Sequence, residues 1–189
     1  MTSSLINTMH ELSERELFEA IHYAKSIDEE TGATIIERFQ LEQTALAQVV
    51  FGIFPAFIAK ENTEMSYFFM DLCFDVLCVF EHAFGSLPSQ NDMDYDWLEK
   101  KSALLDIELQ AIIKEPQMDE KISSTLQDRF EKRSLEETTQ LGLVNFMKMA
   151  IDDFASENPS RVSSIKSTQT MIAIVIRLLS NLYSHPSKQ

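Results

Sequence analysis

Four glycines and five prolines are the main turn-forming punctuation in a chain of 189 residues. Sandwiches, barrels and doubly wound sheets turn at short intervals and draw on those residues at many of the turns. A chain this poor in them is confined to long helices joined by few bends. The rest of the composition suits a packed interior: 44% of residues are hydrophobic, with 13 Phe and 9 Met, well above what a disordered chain carries. This length suits one domain. The expectation is therefore an all-α fold: a single-domain bundle of about six helices spanning residues 1–189.

Local signals place the helices. Ser13-Glu14-Arg15-Glu16 is a capping box flanked by Leu12 and Leu17 as a hydrophobic staple. Leu17, Ile21, Ala24 and Ile27 then follow at helical spacing, and Gly32 is the expected stop of helix one. The second helix is expected over 33–60, kinked by Gly52 and Pro55. The third is expected over 62–84, ending at Gly85. A loop over 86–95 leads to a fourth helix that stops before Pro116. A fifth is expected over 119–156 with a break near Ser134. Asn158-Pro159 supplies a cap and a first-turn proline for the sixth, which ends about Ser184.

The two halves share a pattern. Glu37-Arg38-Phe39 and Leu41-Glu42-Gln43-Thr44 correspond to Asp128-Arg129-Phe130 and Leu135-Glu136-Glu137-Thr138. Both runs pass from polar to apolar, reach Glu-Asn (Glu61-Asn62, Glu157-Asn158) and enter an apolar helix. The pattern suggests a duplicated three-helix unit, 13–85 and 96–185, with the third and sixth helices as equivalent central elements.

Charge divides unevenly between those halves. Residues 1–99 hold 18 acids and 4 bases (Arg15, Lys25, Arg38, Lys60), whereas residues 100–189 hold 12 of each, so the whole net charge of −14 sits in the first half. Such a surface repels phosphates and argues against a nucleic-acid ligand. It favours fast association with a basic partner. The expected function is protein–protein binding through the acidic half, without catalysis and without a cofactor. The alternative partner is a second copy of the chain, as a homodimer or structural oligomer.

Cys73 and Cys78 stand five apart, about 140° around a helix, so they cannot pair with each other and read as free thiols of a reducing compartment. Residues 1–14 carry neither a basic nor an apolar signal region. The apolar stretch 67–80 is interrupted by Asp71 and Asp75 and is too short to span a bilayer. The expectation is a cytoplasmic protein without a membrane span.

One constellation stands out. Within the apolar third helix, Glu64, Tyr67, Asp71, Asp75, Cys78 and His82 recur every three or four residues and form one polar stripe. Carboxylates four apart repel unless a cation or a proton comes between them. Three readings stay open. The stripe faces water; or it faces another helix, with Asp71 or Asp75 paired to Arg177, the one charge within 171–179; or it lines a site for a metal or small cationic ligand. A four-helix di-iron centre would need two Glu-x-x-His motifs, and the chain has one, Glu19-Ala20-Ile21-His22. Glycine-rich phosphate loops and Gly-x-Ser-x-Gly elbows do not occur.

Overall fold

The computed structural model describes residues 9–113 and 119–185. Among them are eight helices and no strand: α1 (Glu14–Ser26), α2 (Glu29–Glu42), α3 (Thr44–Glu61), α4 (Thr63–Phe84), α5 (Tyr95–Ile113), α6 (Glu120–Glu137), α7 (Leu141–Ser156) and α8 (Pro159–Ser184). The all-α single-domain bundle stands, with more helices than the spacing predicts.

Several predicted boundaries hold because the signal is a local hydrogen bond. The Ser13 hydroxyl accepts from the Glu16 amide at 3.3 Å, and the Glu16 carboxylate accepts from the Ser13 amide at 2.8 Å. Asn62 caps α4 by accepting from the Met65 amide at 2.8 Å, and Gly85 ends it at φ +90, the one positive φ among the described residues. Asn158 opens α8, whose first turn is 3₁₀ (Pro159–Ser164) before it settles to α from Ile165.

Three expectations are corrected. Gly32 does not stop α1. That helix ends at Ser26, Asp28 caps α2 through the Thr31 amide at 2.8 Å, and Gly32 lies in the first turn of α2. A Cβ at Gly32 would sit 3.4 Å from the Phe74 ring, an ordinary van der Waals contact, so the packing there does not itself require glycine. Gly52 and Pro55 do not merely kink a long helix. The chain breaks earlier, at Gln43, and a π turn (Val49–Ile53) widens α3 just before Pro55, relieving the clash between a proline ring and the carbonyl four residues back. The single helix expected over 119–156 is two. Ser134 stays within the helix, its hydroxyl donating back to the Phe130 carbonyl at 2.8 Å, and the break falls at 138–140, where the Thr138 hydroxyl accepts from the Gln140 amide at 3.1 Å. By length and composition alone α3 and α8 are each long and apolar enough to cross a membrane, a property that buried core helices share, and 39% and 72% of their windows are buried inside the fold. The expected stop before Pro116 lies outside the described residues.

The interior is built around α4 and α8, which pack on each other. Helix α4 is flanked by α1 and α3, and α8 by α6 and α7. Phe54, Phe69, Phe80, Met147, Ile151 and Ile174 are fully buried between them. Two glutamines at the breaks bond remote segments of backbone. Gln43 (φ −135, ψ 58) and Gln140 (φ −109, ψ 55) have similar backbones and are both buried. Gln43 Nε2 donates to the Pro88 carbonyl at 2.8 Å, in the lead-in to α5. Gln140 Nε2 donates to the His10 carbonyl at 2.6 Å and its Oε1 accepts from the Leu12 amide at 3.1 Å, in the lead-in to α1.

Candidate functional site

The polar stripe of α4 is divided by its neighbours. Glu64 is exposed and takes Arg161 Nε at 2.7 Å. Tyr67 and Asp71 face solvent. Helix α1 covers the next turn, where Asp75 is buried and bonded to Lys25 Nζ. Burial pushes the Asp75 carboxyl up, the bond and charge of Lys25 pull it back, and nearby Asp71 adds to the rise, leaving it raised. Cys78 is fully buried, and His82 re-emerges at the surface, stacked on Tyr23 with centroids 4.6 Å apart. Two of the stripe's carboxylates are thus neutralised by different helices, and among the described residues no three His, Cys, Asp or Glu side chains converge as a metal site.

Arg177 does not pair with Asp71 or Asp75. The stripe faces α1 and solvent, whereas Arg177 leaves α8 on the side covered by α5. There its NH1 and NH2 meet Glu108 Oε1 and Oε2 at 2.9 and 2.5 Å. Both partners are almost completely buried, with side chains 4% and 1% exposed. Fork-on-fork geometry is what such a desolvated pair requires. The network continues outward. Arg133 NH1 reaches Glu108 Oε1 at 3.4 Å, Arg133 Nε reaches Glu137 Oε1 at 3.0 Å, and Lys101 Nζ stands 3.6 Å from Glu137 Oε2. Partial burial pushes the Glu137 carboxyl up, but the Arg133 hydrogen bond and the charges of Lys101, Arg177 and Arg133 outweigh it and hold the group below its usual range.

Lys101 also stands on the wall of a cavity of about 340 Å³ between the start of α3, one face of α5 and the end of α8. Trp97, Lys101, Leu105 and Leu109 follow at four-residue intervals and present one face of α5. Leu46 and Val49 of α3 and Leu178 and Leu182 of α8 supply the opposing apolar walls. The break at Gln43 sets the start of α3, and its bond to Pro88 fixes the segment that delivers α5. Lys101 Nζ lies 6.0 Å from the Trp97 ring centroid. Asn181 shares the wall, and its Nδ2 is buried without a hydrogen-bond partner among the described residues. Asp106, the carboxylate of the wall, is exposed and accepts from Gln110 Nε2 at 2.8 Å.

Apolar concavity with a few convergent polar groups, at this volume, is the ordinary form of a small-molecule site. The four-residue spacing from Trp97 to Leu109 is visible in the sequence, but the two other walls come from segments distant along the chain, so the stripe drew attention and the cavity did not. No family model, curated protein or solved structure matches the chain.

Proposed function

We propose that this protein acts by binding, and that the cavity between α3, α5 and α8 holds a compact, largely apolar small molecule. The observation that carries this reading is the cavity itself: about 340 Å³, walled by leucines and the chain's one tryptophan, with Lys101 on its surface and Asn181, whose Nδ2 has no partner among the described residues, beside it. Trp97 makes the test direct. Titration with 1-decanol is expected to shift Trp97 emission saturably, and Ser102→Phe, which sets a ring on the cavity wall, is expected to abolish the shift. A linear, unsaturable response in the unmodified protein would refute the reading.

A second reading, capture of a basic polypeptide by the acidic half, is favoured by one observation. Three of the four cations in residues 1–99 are held by carboxylates of the same half: Arg15 by Glu19, Lys25 by Asp75 and Arg38 by Glu81. Exposed acids such as Asp28, Glu29, Glu30 and Asp71 keep the surface negative. Association with a lysine-rich peptide should slow steeply as salt rises. Salt-independent rates would count against it. Two free, buried thiols suit a reducing, cytoplasmic setting.

We also read 13–85 and 96–185 as copies of one ancestral unit. In support, each has a polar helix, a break at a buried glutamine, an apolar helix, an Asn cap and a core helix, and each glutamine bonds a carbonyl in the lead-in to a helix, Gln43 ahead of α5 and Gln140 ahead of α1.

A further inference from the structure

The charges beside the cavity do not balance. Lys101, Arg133 and Arg177 are three cations sharing two carboxylates, Glu108 and Glu137. The inner members are well matched: Arg177 and Glu108 are bidentate and buried, and Arg133 bridges Glu108 to Glu137. Lys101 holds the longest contact of the network, 3.6 Å, and stands at its outer end, on the cavity wall. The surplus positive charge therefore falls at the cavity. Helix α5 sets it there among apolar neighbours, one turn from Trp97 and one from Leu105. An ammonium beside an apolar surface attracts a counter-charge more strongly than one in open water. Across the cavity, Asn181 Nδ2 is a buried donor with nothing to donate to among the described residues. Its terminal torsion is soft, so a small turn of the amide offers it to an occupant. Asp106 does not cancel Lys101: it lies about 140° further round α5 and is exposed to water.

Resting on the cavity reading above, we infer that the ligand is an amphipathic monoanion, an apolar body bearing one carboxylate, with the carboxylate on Lys101 and Asn181 and the body against Trp97, Leu105 and Leu182. Binding one negative charge closes the network at three against three. It also supplies an acceptor for Asn181 Nδ2, which has none among the described residues. A charge-assisted contact of this kind outweighs a neutral one, so the head group, not the body, sets the choice among apolar molecules of one size.

The test compares decanoate with 1-decanol on the full-length protein, read by Trp97 emission and by calorimetry at low salt. Their bodies are alike, and decanol is the more apolar of the two, so a neutral cavity would prefer the alcohol. The expected result is decanoate bound about tenfold more tightly than decanol. Lys101→Met keeps the stem, leaves the remaining network balanced and removes the charge. It should weaken decanoate about tenfold with decanol changed by less than about twofold, and Lys101→Arg should restore decanoate. Decanol binding as tightly as decanoate or better, or a Lys101→Met variant that keeps its preference, overturns the anion inference and leaves the cavity reading standing. Binding of neither probe overturns both.

Discussion

Replacing Glu108 by leucine strips Arg177 of its only bidentate partner inside a region where both side chains are almost completely buried. Removing one member of a buried pair typically costs about 3–5 kcal/mol, because the other charge stays desolvated and unpaired. The network makes the two single substitutions unequal. After Arg177→Met, Glu108 keeps Arg133 at 3.4 Å, and Arg133, a third exposed, can move toward it. After Glu108→Leu, the Arg177 guanidinium faces only the more distant charge of Glu137. The expected costs are about 3 kcal/mol for Arg177→Met and about 4–5 kcal/mol for Glu108→Leu. The double variant replaces charge by apolar volume and should lose only about 0–2 kcal/mol, so the two effects must be strongly non-additive. Urea denaturation followed by circular dichroism measures all three. In a chain of this size each kcal/mol moves Tm by about 2–4 °C, so Glu108→Leu should melt about 8–20 °C below the unmodified protein. Equal costs for the two single variants, or a double variant as unstable as their sum, would refute the account of a closed, buried network.

Burial and then the Asp75 charge raise both thiols, Cys78 to about 12 and Cys73 well above the usual thiol range, so neither should react with a thiol reagent at pH 8 in the folded protein and both should react promptly in denaturant. Hydrogen bonds from the Ser13 amide and hydroxyl, and then His10, lower the Glu16 carboxyl to about 2. A depressed folded value means stability present above the unfolded carboxylate range and lost as pH falls from there towards about 2; Ser13→Ala should remove part of that acid dependence and cost about 1 kcal/mol at neutral pH through the lost cap, both read from denaturation curves taken at several pH values. Asp75 runs the other way: its carboxyl is raised, so its contribution is fully present below the unfolded carboxylate range and lost as pH climbs through the folded value. Asp75→Asn should flatten that arm of the same stability profile, and an unchanged profile would contradict it.

What the sequence makes legible here are features decided within one helical turn. The Ser13 box, the Asn62 and Asn158 caps and the Gly85 stop are each a side chain or a φ value acting on the backbone beside it. The breaks at Gln43 and Gln140 carry no glycine or proline. Those glutamines look like ordinary helix residues until the remote carbonyls of Pro88 and His10 are placed against them. Asp28 competed with Gly32 for the same corner, and a cap four residues upstream prevailed over the glycine. Arg177 plainly needed a carboxylate, but 30 acids were on offer and only the placement of α5 beside α8 selects Glu108. The α4 stripe was real as a helical face, while its meaning depended on α1 lying across it. The cavity is likewise a property of three separate segments.

The clasp between Gln140 and the lead-in to α1 joins residues 130 positions apart. During synthesis at about 5–20 residues per second, the segment around His10 is made roughly 6–26 s before its glutamine exists. Until then the Leu12 amide and the His10 carbonyl have only water to bond. Helix α1, capped by its own Ser13 and Glu16, can form early, but the segment ahead of it has to wait. The first half of this protein is therefore born with its entrance unfastened, and the last third of the chain supplies the latch.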